Sequence, residues 1–269
     1  MPEIQLIDTH AHLDFPQFDD DREEVIQRAL EAGVAQIITI GVDLESSRAA
    51  IALAEKYSHI YATVGMHPHD AIQLTPQVLA ELQELARHPK VVAVGEMGLD
   101  FYRNLSPREA QRRAFEAQLA LAREIGKPVV IHDRDAHGEV MATLRRWVAD
   151  HPAQANQRPL GVLHCFSGGP EMAREAVGLG FYISLAGPVT FLNARKPVEV
   201  ARQVPLENLL VETDAPFLSP HPYRGRRNEP ARVRLVAQRI AEIKKLPLEE
   251  LARITTANAQ RVFHRKEGP

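Results

Sequence analysis

The chain has 269 residues, is 45% hydrophobic and 25% charged, and carries a formal net charge of −3. A globular chain of this size buries roughly three quarters of its unfolded surface, and its slight acidity excludes a protein that coats nucleic acid by bulk electrostatics, though not a local basic patch. Cys165 is the only cysteine, which rules out an internal disulfide, and every apolar run falls short of the roughly 20 residues that span a bilayer.

The opening Met1-Pro2-Glu3-Ile4 lacks a charged start followed by a long apolar stretch, so a cytoplasmic protein is expected, with no membrane or obligate protein partner. Ile4–Asp8 then reads as a buried strand, closed by Asp8-Thr9-His10-Ala11-His12. Histidines two apart on an extended segment point to the same face, so His10 and His12 can grip one ion together. A helix near Arg22–Ala32 leads to a strand at Gln36–Ile40, and a helix at Leu44–Tyr57 to a strand at Ile60–Gly65. That third strand runs into Gly65-Met66-His67-Pro68-His69. After a helix near Pro76–Arg87, strand four at Val91–Glu96 ends in Gly95-Glu96-Met97-Gly98-Leu99-Asp100.

The next helix, Pro107–Gly126, is punctuated at both ends. Ser106 suits the N-cap, Pro107 the first helical position and Glu109 a capping box, while Gly126 terminates it with Pro128 just beyond. Strands follow at Pro128–His132, Leu160–His164, Phe181–Ser184 and Leu209–Glu212, separated by helices near His137–Ala149, Glu171–Leu179 and Lys196–Gln203. Helices near Pro230–Lys244 and Pro247–Phe263 finish the chain. Eight apolar strands with helical crossovers predict an α/β fold, a (β/α)₈ TIM barrel formed by one domain over 1–269. A doubly wound open sheet is the runner-up, weakened by the lack of a glycine-rich loop after the first strand.

Metal-type side chains recur at the predicted strand ends. His10 and His12 follow strand one, His67 and His69 strand three, and Asp214 strand eight, while Glu96, His132 and His164 end strands four, five and six. In a barrel of this type the C-terminal ends of the strands form the catalytic face. A single histidine at a strand end is more often a hydrogen-bonding loop residue than a ligand. The set of His10, His12, Glu96, His132, His164 and Asp214 exceeds what one tetrahedral ion needs and suits two divalent cations sharing a carboxylate. Imidazole-rich sites favour Zn, Mn, Co or Ni over Mg, although phosphodiester chemistry often runs on Mg or Mn.

His59, His88, His137, His151 and His264 fall in connectors or helices and are expected on the surface; His221 sits in a loop that could overhang the site. Cys165 adjoins His164, but neighbours on a strand face opposite ways, so a catalytic cysteine is not expected unless the strand has already ended. Arg103, Arg134, Arg224, Arg226 and Arg227 cluster in the loops after these strands and would set positive potential where a phosphodiester lies, unless they pair with nearby acids. Tyr102, Phe166 and Tyr223 are candidates for stacking a base, with core packing an equal alternative.

The segments Asp8–Asp14, Gly65–His69, Gly95–Asp100, Ile131–Arg134, His164–Gly168 and Glu212–Pro216 together resemble the TatD family of metal-dependent hydrolases, in the amidohydrolase superfamily. So do Tyr223–Pro230 and the tail around Thr256, Asn258 and Phe263, so that the resemblance covers essentially the whole chain in order. The resemblance implies that His10, His12 and Asp214 serve one metal, that His132 and His164 serve the other, and that Glu96 bridges them. It also implies a barrel and a deoxyribonuclease activity, described for the family as 3′→5′ exonuclease action, with deacylation of misacylated tRNA in some members.

The expected function is therefore hydrolysis of DNA phosphodiester bonds by two-metal activated water. Asp214 is expected to take the proton of that water and Glu96 to bridge. His67 is expected to donate to a phosphate or leaving oxygen, and His69, Arg103, Arg134 and Arg224 to bind the substrate. The alternative is a two-metal hydrolase of a carbonyl centre such as an amide, lactone or aminoacyl ester.

Overall fold

The computed structural model describes residues 4–150 and 159–263. Eight parallel strands form one sheet in the order β1 to β8: β1 Leu6–Ala11, β2 Val34–Ile40, β3 Ile60–Val64, β4 Val91–Asp100, β5 Val129–Arg134, β6 Gly161–Leu163, β7 Phe181–Leu185 and β8 Leu209–Val211. Helices separate them: α1 Arg22–Glu31, α2 Leu44–Lys56, α3 Pro76–Leu85, α4 Arg108–Glu124, α5 His137–Ala149, α6 Pro170–Gly178 and α7 Arg195–Gln203, with α8 Val233–Lys244 and α9 Leu248–Phe263 after the last strand. The fold is the (β/α)₈ barrel. The strands are almost wholly buried because each is sheathed by helices on its outer face. No helix of the described residues is long and apolar enough to cross a membrane.

The chain packs as two compact units. One comprises Met1–Thr39, Cys165–Arg174 and Ile183–Pro269; the other comprises Ile40–His164 and Glu175–Tyr182. In the first, β1 meets β8 through a parallel bridge between Ala11 and Ala215. The buried Asp8 carboxylate reinforces this by accepting the Thr213 N–H at 2.9 Å and the Thr213 hydroxyl at 2.5 Å. Helix α9 packs on the same pair, with the Thr256 hydroxyl donating to Gln5 O and Asn258 Nδ2 donating to the carbonyls of Leu206 and Leu209. Leu6, Ile37, Leu209, Val236 and Leu251 are fully buried in this unit; Ile60, Leu82, Met97, Phe115 and Ile131 form the core of the other.

Several boundaries differ from the sequence reading, and three of the differences move donors relative to their strands. Strand β1 runs on through His10 to Ala11, so His10 lies on the strand and His12 just past it. Strand β5 continues past His132 to Arg134, and β4 continues past Glu96 to Asp100. In β4, Gly95 and Gly98 take positive φ angles of 139° and 143°, and their backbones pass so close to β5 that a side chain at either would collide with it. The β4–β5 register shifts between Val94 and Met97, an irregularity that re-aims Glu96 without ending the strand.

The expected capping box of α4 does not form. Pro107 is the N-cap and makes no side-chain cap bond. The buried Ser106 hydroxyl instead donates to His69 O and accepts the Ile72 N–H, fastening the turn that carries His69. A capping box does occur at α2, where Asp43 and Ser46 cap each other.

Candidate metal centre

In the first unit the donors come from both ends of the chain. His12 N–H donates to Ala215 O at 2.7 Å and Asp214 N–H to His10 O at 2.9 Å, which locks the segment after β8 onto β1. Asp214 sits at φ 58°, a left-handed conformation that Asp tolerates better than most residues. The buried Asn228 holds that turn, its Nδ2 donating to Thr213 O at 2.9 Å and to Phe217 O at 2.7 Å. As a result one carboxylate oxygen, Asp214 Oδ1, faces His10 Nε2 at 3.6 Å and His12 Nε2 at 3.5 Å.

The second unit assembles around Glu96, whose N–H donates to Gly41 O. Its Oε1 lies 2.7 Å from His132 Nδ1, 2.7 Å from His164 Nε2 and 3.4 Å from His67 Nε2. His132 Nδ1 and His164 Nε2 are themselves 3.3 Å apart. Behind His132 stands Asp100, a residue given no role in the sequence reading. Its Oδ2 is 2.8 Å from His69 Nε2 and 3.4 Å from His132 Nε2, while its Oδ1 accepts the N–H groups of Tyr102 and Arg103. A carboxylate behind a ligating imidazole fixes the ring's tautomer and orientation.

Both groups suit a divalent cation. Two ligands each about 2.1 Å from a tetrahedral ion lie about 3.4 Å from one another. The separations of 3.3–3.6 Å between His132 and His164, and between Asp214 and each of His10 and His12, match that edge better than a hydrogen-bond length, whereas the 2.7 Å contacts of Glu96 with His132 and His164 are hydrogen-bond lengths. Imidazoles with one or two carboxylates are also the donor chemistry of Zn and Mn sites.

Electrostatics separate the histidines. Burial pushes the His67 imidazole down to about 4, against the pull of Glu96. Its Nδ1 accepts the His69 N–H at 3.1 Å, so the neutral ring carries its proton on Nε2. An Nε2–H donates and cannot ligate, which sets His67 apart from His132 and His164. Burial also opposes a charged His132, but Asp100 and Glu96 outweigh it and raise that imidazole above its ordinary value. Burial works on Asp100 in the upward direction, yet hydrogen bonds from His132, Arg103 and His69 carry its carboxyl well below the usual range.

The remaining candidates divide. Arg103, Arg134, Arg224 and Arg226 are exposed; Arg134 lies over Tyr102 at 4.2 Å and Arg224 over Phe191 at 4.5 Å. Arg227 is exposed too but already paired, donating to both carboxylate oxygens of Asp21 and lying over Phe18. Phe166 is buried, so core packing accounts for it, while Tyr102 is exposed and Tyr223 lies beneath Arg232. His88 pairs with Glu55 and His137 with Asp133, His59 sits beside Tyr57, and His221 is exposed. His151 and His264 lie outside the described residues. Strand β6 has ended by Leu163, and Cys165 uses its N–H on the buried Glu212 carboxylate.

Comparison with known proteins agrees with this architecture. The family model described as TatD related DNase matches residues 7–264. A metal-dependent hydrolase of Bacillus subtilis, YabD, is 48% identical over 258 residues, covering 96% of this chain and 98% of the relative. The protein named 3′-5′ ssDNA/RNA exonuclease TatD of Shigella flexneri is 40% identical over 265 residues, covering 96% and 98%. Among solved structures, the TatD homologue YjjV of Escherichia coli superposes with a TM-score of 0.89 at 35% identity, covering 98% of this chain and 99% of that one. With histidines and carboxylates grouped as a metal-dependent hydrolase requires, and a match along nearly its whole length, the chain belongs to the TatD-related DNase family.

Proposed function

We propose that the protein shortens single-stranded nucleic acid from its 3′ end, hydrolysing phosphodiester bonds with two divalent cations. The observation that carries this reading is Glu96, one of whose oxygens meets two imidazoles at 2.7 Å while being only 2% exposed. This places Glu96 with His132 and His164 as one donor group, and its share in a second cation is part of the proposal. In the proposal His10, His12 and Asp214 hold one cation, His132 and His164 the other, and Glu96 both. The name of the Shigella relative supports the substrate class and direction. The imidazole-rich donor set favours Zn or Mn over Mg.

A bound cation pair would lower the pKa of water from about 15.7 toward about 7 and offset charge on the phosphoryl oxygens. The side chains supply the rest. Asp214 is the more accessible carboxylate, 13% exposed against 2% for Glu96, and it takes the proton of the attacking water. His67 donates its Nε2–H to a phosphoryl or leaving oxygen, since its Nδ1 is occupied by the His69 N–H. His69, expected at the substrate, spends its Nε2 on Asp100 and is better read as a brace. Arg103, Arg134 and Arg224 present exposed guanidinium groups to the phosphates that follow. These cations favour a phosphodiester over the carbonyl substrates of the alternative reading.

The test incubates metal-loaded protein with 5′-labelled single-stranded DNA and, in parallel, with a panel of esters, lactones and amides. A ladder shortening from the 3′ end is expected, with losses of at least about 100-fold in His132→Ala and Glu96→Ala. Turnover of carbonyl substrates alone, abolished by the same two substitutions, would sink the nuclease reading.

A further inference from the structure

Phe217 follows Asp214 by three residues, yet 45% of it is exposed. Single exposed apolar side chains are common and need no explanation. This one is held in place. Its ring stands edge-on to His12 at 6.1 Å between centroids and to Phe15 at 6.0 Å, and Phe15 stacks on His12 at 4.5 Å. Its N–H donates to Asp214 O at 2.8 Å and its carbonyl accepts from Asn228.

The loop that follows Phe217 is equally constrained. Leu218 takes φ 53°, and its carbonyl occupies the position a side chain on Gly187 would need, so the segments after β7 and β8 lie against each other. The His221 N–H donates to Thr190 Oγ1 at 2.8 Å and joins them again. The same pair of segments supplies Phe191 and the exposed Arg224 stacked on it. A rigid aromatic surface thus borders two proposed metal ligands, with an exposed cation on the same loops.

We propose that Phe217, backed by Phe15, is the stacking platform for a nucleobase flanking the scissile phosphate. The inference rests on the nuclease reading and extends it to substrate choice. Every base has a π-face, so the platform tolerates any sequence. A base inside a duplex has both faces covered by neighbouring pairs, and a terminal pair offers only its outer face with its partner still attached, so an unpaired base reaches the platform more readily. Phe217 therefore favours unpaired ends, while the metal ligands act on the phosphate whatever the base.

The experiment uses the metal-loaded full chain and single-stranded oligonucleotides carrying 2-aminopurine, or an abasic residue, at the terminal or penultimate 3′ position. The ratio of KM for abasic to normal substrate reads the stacking. Base–aromatic stacking is worth about 5- to 150-fold per base, and a ratio in that range is expected at one of the two positions. There 2-aminopurine fluorescence should be quenched on binding. Phe217→Leu, which keeps apolar volume without the ring, should bring the ratio toward 1 and abolish the quenching, and Phe217→Tyr should retain both. An unchanged ratio in Phe217→Leu, or hydrolysis by the wild type without discrimination against abasic ends, overturns the platform and leaves the nuclease intact. Quenching that depends on Phe217 without any hydrolysis overturns the nuclease and leaves the platform. A protein that neither binds nor cuts these oligonucleotides refutes both.

Discussion

Replacing Asp100 with Asn changes one atom, and the structure predicts which function that atom serves. Asp100 Oδ1 accepts the N–H groups of Tyr102 at 3.0 Å and Arg103 at 2.7 Å, and only an oxygen can fill that position. The amide of the variant must therefore turn its NH₂ toward His69 and His132. An NH₂ donates, so His132 Nε2 has to accept, and its proton moves to Nδ1. That nitrogen is the one 2.7 Å from Glu96 and 3.3 Å from His164, and a protonated nitrogen cannot ligate. Loss of such a supporting carboxylate typically costs 10–100-fold in metal affinity, or about 1.4–2.8 kcal/mol.

Competition between apo-protein and a chromogenic zinc chelator measures this affinity directly. In the wild type, affinity should rise with pH as His132, raised by Asp100 and Glu96 against its burial, gives up its proton. Removing the Asp100 charge lowers that pKa, so the rise should begin at lower pH in Asp100→Asn, while the tautomer penalty persists above it. Zinc affinity within twofold of wild type from pH 6 to pH 9 would refute the reasoning.

His67→Ala should lower kcat by about 100-fold or more, as removal of one preorganised donor does, with metal content by mass spectrometry unchanged; loss of metal would make His67 a ligand. Asn228→Ala leaves the buried Thr213 carbonyl and the part-buried Phe217 carbonyl without this donor and should cost about 1–3 kcal/mol in urea unfolding. A change under about 0.5 kcal/mol would show that the turn holds itself. Arg227→Ala breaks a partly exposed pair with Asp21 and should cost at most about 1 kcal/mol, without altering the salt dependence of single-strand binding. Arg224→Ala should instead reduce the slope of log K against log salt by about 0.7, and equal slopes for the two variants would remove Arg224 from the phosphate path.

Much of the fold is legible from residue order alone, since alternating apolar strands and amphipathic helices are local patterns. The pairing of His10 with His12 is legible for the same reason: residues two apart on an extended chain share a face whatever surrounds them. Both Nε2 atoms accordingly face one oxygen of Asp214. Local cues misled where a neighbouring element competed for the same group. Ser106 had the spacing of a cap, but the turn carrying His69 took its hydroxyl. Arg227 stood among arginines directed at phosphate, but Asp21, far away in the sequence, took its guanidinium.

The order of residues thus determined the alternating architecture, the strand ends where donors gather and the donor types that suit a cation. Tertiary structure alone decided that Gly95 and Gly98 let β4 press against β5 and run on to Asp100, which brings that carboxylate behind His132. It also decided that Phe217 stays exposed beside His12, held by Asn228 eleven residues away. Periodicity reports only which side of an element a residue faces. What meets it there depends on how closely another backbone can approach.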